Sequence, residues 1–222
     1  MPFQLLWMWT RYENREESNM SIDKELLLHS VRIKSDLLAP VGNQEFYKKV
    51  TDNVSLFDSE EYTTAQQIAM FKGKTIPFKL LSTTESIEKY TLKNYMNYIR
   101  FIGQSIIHTA FNELHVPDNT ELTRWKTGSE MSPHSDNSWP DGRTEEHPTS
   151  FRTWSGIYYI NDDYEGGELY FPELDWNFKP KADTLLMFPS TSRYIHGVNK
   201  VTKGTRYTVA CWYTNQYQYL EI

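Results

Sequence analysis

The sequence has little cysteine and no long apolar run. Its single cysteine, Cys211, excludes an intrachain disulfide and a zinc site built mainly from thiolates. The longest early apolar run, Phe3–Trp9, is interrupted by Gln4. It is far shorter than the roughly 20 residues that a membrane-spanning helix needs, and it lacks the basic leader and cleavage site of a signal peptide. We therefore expect a cytoplasmic protein with no membrane partner.

The sequence also lacks an excess of positive charge. Its 23 basic residues face 29 acidic ones, for a net charge of −6. That balance excludes the basic surface typical of nucleic-acid-binding proteins, so no nucleic-acid partner is expected. Aromatic residues, in contrast, are abundant at 15% of the chain. Such a content favours a β-sheet protein with an aromatic-lined cavity over a plain helical bundle.

The two parts of the chain differ in pattern. Residues 1–117 contain helical periodicity, first in Ile22–Leu38, which Ala39-Pro40 would close, and then in an apolar stripe from Ile87 to Leu114. This part is predicted to be a helix-rich support region. Residues 118–222 are predicted to form the core of what is expected to be one compact domain.

Short strands separated by turn signals characterise the second part. Glu165-Gly166-Gly167 and Lys203-Gly204 are two of the turn signals. Many short strands without intervening helices favour a β-sandwich or jelly-roll barrel. The predicted strands are Leu122–Lys126, Thr153–Ile160, Glu168–Phe171, Thr184–Phe188, Tyr194–Val198 and Arg206–Tyr213.

One histidine has a carboxylate two residues away on a strand-like segment, in His134-Ser135-Asp136. Residues i and i+2 of a strand share a face about 7 Å apart, so both side chains can reach one metal ion. His196 is the best candidate for a third ligand. It is predicted to lie in the middle of a strand, and Gly197 would leave room beside the metal.

Two histidines and one carboxylate leave open metal positions, as in non-haem Fe(II) oxygenases. A closed zinc site would need a fourth ligand, and Cys211 lies at the opposite strand parity to Arg206. Arg206 follows His196 by ten residues, and the turn at 200–204 brings both toward one cavity. A guanidinium there suits the far carboxylate of a dicarboxylic co-substrate.

These residues carry a family resemblance. His134-Ser-Asp136, His196 and Arg206 resemble the signature of Fe(II)- and 2-oxoglutarate-dependent dioxygenases, and the flanking segments resemble the prolyl 4-hydroxylase-like branch. The flanking segments are Gly156–Pro172, Pro180–Pro189 and His196–Trp212. The resemblance extends over roughly residues 122–214.

The resemblance implies an α+β protein whose double-stranded β-helix (jelly-roll) core is backed by N-terminal helices. It implies Fe(II) and 2-oxoglutarate as cofactors, with ascorbate as a further candidate. His134, Asp136 and His196 would be the catalytic metal ligands, and Arg206 would bind the 5-carboxylate of the co-substrate. His196 and Arg206 would lie on facing strands.

The resemblance also implies three further co-substrate contacts. Tyr159 would hydrogen-bond a carboxylate, Thr208 is a second candidate, and Trp212 would pack behind the co-substrate. A core tyrosine and an ordinary strand threonine are the alternatives for the first two. Trp125 departs from the family, which usually has a tyrosine before the His-x-Asp segment, and so removes one polar contact.

The activity implied is hydroxylation of a C–H bond, with release of succinate and carbon dioxide. A prolyl residue in a peptide or protein is the leading substrate, and a free amino acid or other small molecule is the alternative. A non-catalytic jelly-roll binding module and a cupin that uses no 2-oxoglutarate are the rival classes.

Asn137–Ser150 is expected to be a lid that closes Trp139 over the substrate, with a packed surface loop as the alternative. The oligomeric state is left open.

Overall fold

The computed structural model describes residues 30–58, 73–81, 87–139, 141, 143 and 145–222. Within these ranges, helices α1, α2 and α3 cover Ala39–Asp52, Phe78–Leu81 and Ile87–Phe111. The strands are β1 Arg32–Lys34, β2 Lys74–Pro77, β3 Val116–Lys126, β4 Met131–His134, β5 Trp154–Tyr159, β6 Glu165–Gly166, β7 Leu169–Phe171, β8 Trp176–Phe178, β9 Thr184–Pro189, β10 His196–Val198, β11 Val201–Lys203 and β12 Thr205–Thr214.

Two antiparallel sheets form a jelly-roll core. The larger sheet has the strand order β1-β9-β5-β12-β3-β2, and the smaller has the order β4-β10-β7-β8. A short β6–β11 pair lies beside them. The space between the two large sheets is filled by side chains from both, largely aromatic, including Trp125, Tyr159, Phe171, Phe178, Phe188 and Val198. This inner layer is where the cavity described below lies.

The outer face of the larger sheet is covered by apolar side chains from the helices. The hydroxyl of Tyr213 on β12 donates a 3.0 Å hydrogen bond to the carbonyl of Arg100 on α3. A Cβ atom at Gly103 would overlap that hydroxyl, so glycine lets the helix approach the sheet closely. Cys211 is buried in the same layer, and burial raises the pKa of its thiol to about 12.

The long helix forms where the sequence predicts it, but its buried face differs from the predicted stripe. Ile87 and Tyr90 are exposed, whereas Leu92 and Met96 are buried against the sheet. The predicted apolar stripe was therefore too wide, because it counted aromatic residues and an isoleucine that lie on the exposed face of the helix. Among the described helices, none combines the length and the apolar character of a bilayer-spanning segment.

The prediction of a helix over Ile22–Leu38 is wrong where the structure describes the segment. Residues 22–29 lie outside the described ranges, and Arg32–Lys34 forms strand β1, which pairs with the edge of β9. The β-branched residues Val31 and Ile33 suit that sheet edge. Pro40 lies in the first turn of α1 and ends no helix, because a proline there loses no intrahelical hydrogen bond.

Candidate metal and co-substrate site

Three ligand atoms converge between the sheets. His134 ends β4 and His196 begins β10, and the two residues are direct cross-strand partners. One ligand atom from each of them and one from Asp136 all lie within 4.8 Å of one another. Each imidazole Nε2 lies 3.7 Å from a different oxygen of the Asp136 carboxylate. This arrangement is able to hold one metal ion.

Both histidines are oriented by the same backbone contact. Nδ1 of His134 lies 3.1 Å from the carbonyl oxygen of Ser132, and Nδ1 of His196 lies 2.9 Å from that of Tyr194. A carbonyl only accepts hydrogen bonds, so each Nδ1 carries the proton and each Nε2 presents its lone pair toward Asp136. Such contacts fix the tautomer of metal-binding histidines.

The protonation states at this cluster suit metal binding. Burial and the neighbouring charge of His134 lower the pKa of His196 to about 4, so its imidazole is neutral near pH 7. Burial alone would raise the pKa of Asp136, but its electrostatic interactions with the His196 and His134 imidazoles hold it below its ordinary value. A neutral imidazole and an ionised carboxylate are the forms that ligate metals.

Arg206 lies on β12 and is 1% exposed. Its guanidinium carbon is 5.0 Å from the ring centre of Trp125 and 5.1 Å from that of Tyr159. Within the described part of the chain, its Nε and Nη1 are buried and have no hydrogen-bond partner. A buried charged donor without a partner is costly, and a carboxylate would satisfy it.

The cavity between the sheets connects the metal cluster with Arg206. His134, Asp136, His196, Arg206 and Trp125 all line it. β10 and β12 belong to different sheets, so His196 and Arg206 lie on opposite walls. The residues present therefore fit both Fe(II) and 2-oxoglutarate: a three-ligand cluster with open positions at one end, and an unpaired guanidinium at the other.

The other predicted contacts lie along the same wall. Thr208 is the cross-strand partner of Tyr159, and Trp212 that of Ser155. Thr208 and Trp212 line the cavity. Tyr159 lies deeper, with its hydroxyl buried and unpaired among the described residues. Trp125 makes a polar contact of its own, because its indole N–H donates a 3.2 Å hydrogen bond to the Thr208 hydroxyl.

Two local expectations are wrong. Asp136 does not continue β4, which ends at His134, but lies in the bend that follows. The space at Gly197 is occupied by the two neighbouring strands. A Cβ atom there would lie 2.6 Å from the ring of Tyr170 and 2.8 Å from the carbonyl oxygen of Met131. Glycine at this position therefore allows β10 to pack between its two neighbouring strands.

Several contributors were not found from the sequence. The Ser155 hydroxyl donates to the Asp136 carboxylate, and Glu121, whose pKa is raised by burial, lines the cavity wall. The rings of Phe188 and Phe171 pack on His196 with centroid distances of 4.8 and 5.8 Å. Alternation on the strands places Glu121 and Ser155 on an inner face, but alternation cannot show which inner-facing residues meet the metal cluster.

The segment after Asp136 contacts the site at both ends. The Asn137 side chain donates a 2.8 Å hydrogen bond to the carbonyl of Arg152, and the Thr149 hydroxyl donates a 2.7 Å bond to the carbonyl of Asp136. Between these ends, the half-buried Trp139 ring packs against His147 at 4.6 Å and lies 4.5 Å from the Arg143 guanidinium. Its aromatic contacts are thus with its own loop.

Comparison with known proteins addresses the identity of this core. Residues 120–214 match the model of the 2OG-Fe(II) oxygenase superfamily. This segment of the chain is similar to the members of that superfamily. The family resemblance expected from the sequence is thus confirmed, and the prediction of Fe(II) and 2-oxoglutarate as cofactors is confirmed with it.

Curated proteins with similar sequences include prolyl 3-hydroxylases. Human prolyl 3-hydroxylase 2 is 38% identical over 98 residues, which are 41% of this chain and 13% of that protein. Chicken prolyl 3-hydroxylase 1 is 43% identical over 70 residues, which are 29% of this chain and 10% of that protein. The chain therefore spans only a small part of these relatives.

Solved structures of prolyl hydroxylases share the fold. The viral collagen prolyl hydroxylase of Paramecium Bursaria Chlorella virus-1 has a TM-score of 0.58 at 14% identity, covering 83% of this chain and 95% of that one. A prolyl hydroxylase from Trichoplax adhaerens, in complex with a hypoxia inducible factor peptide fragment, has a TM-score of 0.61 at 17% identity, covering 86% and 89%. These likenesses confirm the jelly-roll core.

Proposed function

We propose that this chain is a prolyl hydroxylase-like oxygenase that hydroxylates a C–H bond using Fe(II), dioxygen and 2-oxoglutarate. One observation carries the proposal: the His134, Asp136 and His196 cluster and the unpaired Arg206 guanidinium line one cavity. A binding module has no need of an open metal site opposite a buried cation. A cupin without 2-oxoglutarate has no use for Arg206.

Each part of the site has a proposed task. Fe(II) and 2-oxoglutarate, when bound, supply the oxidising power for the reaction and yield succinate and carbon dioxide. His134, Asp136 and His196 hold the metal on the wall opposite Arg206, which binds the far carboxylate of 2-oxoglutarate. Tyr159 and Thr208 are the proposed additional contacts. Phe188 and Phe171 shield the His196 imidazole from water.

A peptidyl prolyl residue is the proposed substrate class. The support is that the matched relatives are named prolyl 3-hydroxylases and that one structural relative holds a peptide fragment. The carbon of the proline ring that reacts is left to experiment, since sequence relatives and structural relatives include 3- and 4-hydroxylases. A cytoplasmic location and ascorbate as a candidate cofactor stay predictions from the sequence.

The test is turnover of 2-oxoglutarate by the purified chain with Fe(II), read as succinate formed. Proline-containing peptides and free amino acids are offered in parallel, and mass spectrometry detects a gain of one oxygen atom. We expect succinate and hydroxylated peptide in equal amounts, with 3- and 4-hydroxyproline separated after hydrolysis. Substrate-linked turnover with a free amino acid but with no peptide would overturn the peptide proposal.

Matched variants make the result specific to this cavity. Asp136→Ala removes a proposed ligand and should abolish turnover while the circular dichroism spectrum stays unchanged. Asp52→Ala changes an exposed carboxylate on α1 that does not line the cavity, and it should leave turnover intact. Equal activity in the wild type and in Asp136→Ala would refute the metal assignment.

A further inference from the structure

The turn before β7 brings a second tyrosine beside Arg206. Tyr164 precedes β6, which pairs with β11 next to the turn into β12. Gly166 and Gly167 have φ angles of +72° and +67°, which side-chain-bearing residues rarely adopt. Both positions of the Gly-Gly turn therefore need glycine, because only glycine adopts these φ angles without strain.

Gly167 also leaves the space in which two side chains meet. A Cβ atom at Gly167 would lie 3.1 Å from Cδ of Arg206 and 3.2 Å from Cε2 of Tyr164. The aliphatic part of the Arg206 side chain and the Tyr164 ring thus both pack against the backbone of Gly167. The turn fixes where both side chains enter the protein interior.

The Tyr164 hydroxyl is buried and, among the described residues, has no hydrogen-bond partner. Two other buried tyrosines, Tyr158 and Tyr213, have hydrogen-bond partners for their hydroxyls. The Tyr158 hydroxyl lies 2.7 Å from Oδ1 of Asn43, and the Tyr213 hydroxyl donates to the Arg100 carbonyl. Tyr159 shares the exception, with its own unpaired hydroxyl beside Arg206. Unpaired buried hydroxyls are rare, and both of these adjoin the Arg206 guanidinium, whose Nε and Nη1 also have no partner among the described residues.

The charge of Arg206 affects the pKa of the Tyr164 hydroxyl. Burial raises the pKa of Tyr164, and the guanidinium charge partly offsets that rise. The hydroxyl therefore keeps its proton near pH 7 and is able to donate. A carboxylate offers acceptor sites for about four donors, so it could accept from both tyrosines and from Arg206.

We propose that Tyr164 is a second tyrosyl donor to the far carboxylate of 2-oxoglutarate, beside Tyr159 and Arg206, and that the Gly166-Gly167 turn positions it. This inference rests on the proposed function, because it presupposes that the cavity takes 2-oxoglutarate. It assigns the turn a task in co-substrate recognition and makes the far end of the cavity selective for an anionic group.

The test compares two ligands by calorimetry, with Mn(II) replacing Fe(II) so that no turnover occurs. 2-Oxoglutarate carries the far carboxylate, and 2-oxopentanoate has a methyl group in its place. We expect Tyr164→Phe to weaken 2-oxoglutarate binding about tenfold, the size of a lost hydrogen bond to a charged group. Binding of 2-oxopentanoate should be unchanged, since it has no far carboxylate to lose.

Tyr207→Phe is the matched control, because Tyr207 adjoins Arg206 in sequence but packs on the outer face of β12 against Phe57. It should change neither affinity. Equal weakening of both ligands by Tyr164→Phe would show a structural role and overturn the inference. Unchanged 2-oxoglutarate affinity in Tyr164→Phe would overturn it while leaving the proposed function intact. Wild-type protein that binds neither ligand would overturn both.

Discussion

The hydroxyl of Ser155 donates a 2.5 Å hydrogen bond to Oδ2 of Asp136. The same hydroxyl lies 2.8 Å from Oγ of Ser190, so a strand residue and the residue that follows β9 together support the carboxylate. Asp136 itself lies in a bend outside any strand. The rigid sheet, through Ser155, therefore fixes the orientation of a ligand that the loop carries.

Removing that hydrogen bond should loosen the metal site. We expect Ser155→Ala to weaken binding of Fe(II) or Mn(II) about tenfold, since contacts that orient metal ligands commonly contribute 10- to 100-fold in affinity. Metal titration followed by calorimetry measures the change. Ser138→Ala is the control, because that hydroxyl contacts Ser135 and not the Asp136 carboxylate. Unchanged metal affinity in Ser155→Ala would contradict the orienting role.

Arg206 should matter for the co-substrate more than for the metal. We expect Arg206→Lys to weaken 2-oxoglutarate binding by about 1.5–3 kcal/mol, because lysine keeps the charge but loses the planar guanidinium. Metal affinity measured alone should be nearly unchanged. Arg193→Lys, at an exposed position before β10, serves as the control. If Arg206→Ala bound 2-oxoglutarate as the wild type does, Arg206 would have no co-substrate role.

The stability of the fold should depend on pH through Glu221. Burial raises the pKa of Glu221 to about 7, although the Arg100 guanidinium, 3.3 Å from its Oε2, opposes the rise. A carboxyl with a raised folded-state pKa binds its proton more tightly when folded. Its contribution to stability is therefore full below about pH 4.5 and is lost as the pH rises through 7.

Glu221→Gln should remove this dependence. Between pH 4.5 and 7.5 we expect the free energy of unfolding of the wild type to fall by roughly 2 kcal/mol relative to the variant. Urea unfolding at a series of pH values gives both curves. Parallel curves over that range would mean that Glu221 does not titrate as the buried structure implies.

The loop after Asp136 should gain protection when the site is filled. Trp139 contacts His147 and Arg143 of the same loop, so the contacts that hold its middle part are local and exposed. Local stability of that kind is low. Hydrogen exchange on residues 145–150 should slow on addition of Mn(II), 2-oxoglutarate and a proline peptide, with β12 amides as the internal reference. Slow exchange without ligands would favour a packed surface loop.

Sequence patterns located the strands well where alternation governed burial, and less well at sheet edges. β3 begins at Val116, six residues before the prediction, because its pairing with β12 extends that far. On its other side β2 pairs only with Glu121–Arg124, which leaves Pro117 at an open edge. Proline is tolerated at such an edge. β1 was missed because its pairing with β9 joins segments some 150 residues apart, which no local pattern reports.

The residues of the site also fall into those that the sequence could predict and those that depend on contacts between distant segments. His134 and Asp136 could be predicted because their spacing is local, and His196 and Arg206 because each lies on a predicted strand on either side of the turn at 200–204. Ser155 had no such signal, since its contact with Asp136 forms only when β5 enters the sheet. Tyr164 could not be predicted, because the Gly-Gly sequence indicates a tight turn but does not show which side chain the turn positions.

Burial of Cys211 has a practical consequence. The chain has no other cysteine, and this thiol lies on β12 between β3 and β5 with its pKa raised to about 12 by burial. A thiol reagent reaches it only when the centre of the larger sheet opens, so its labelling rate reports global opening. A cysteine introduced at an exposed loop position such as Glu145 would react at once. The wild-type chain thus provides a silent background for spectroscopic probes of the active-site loop.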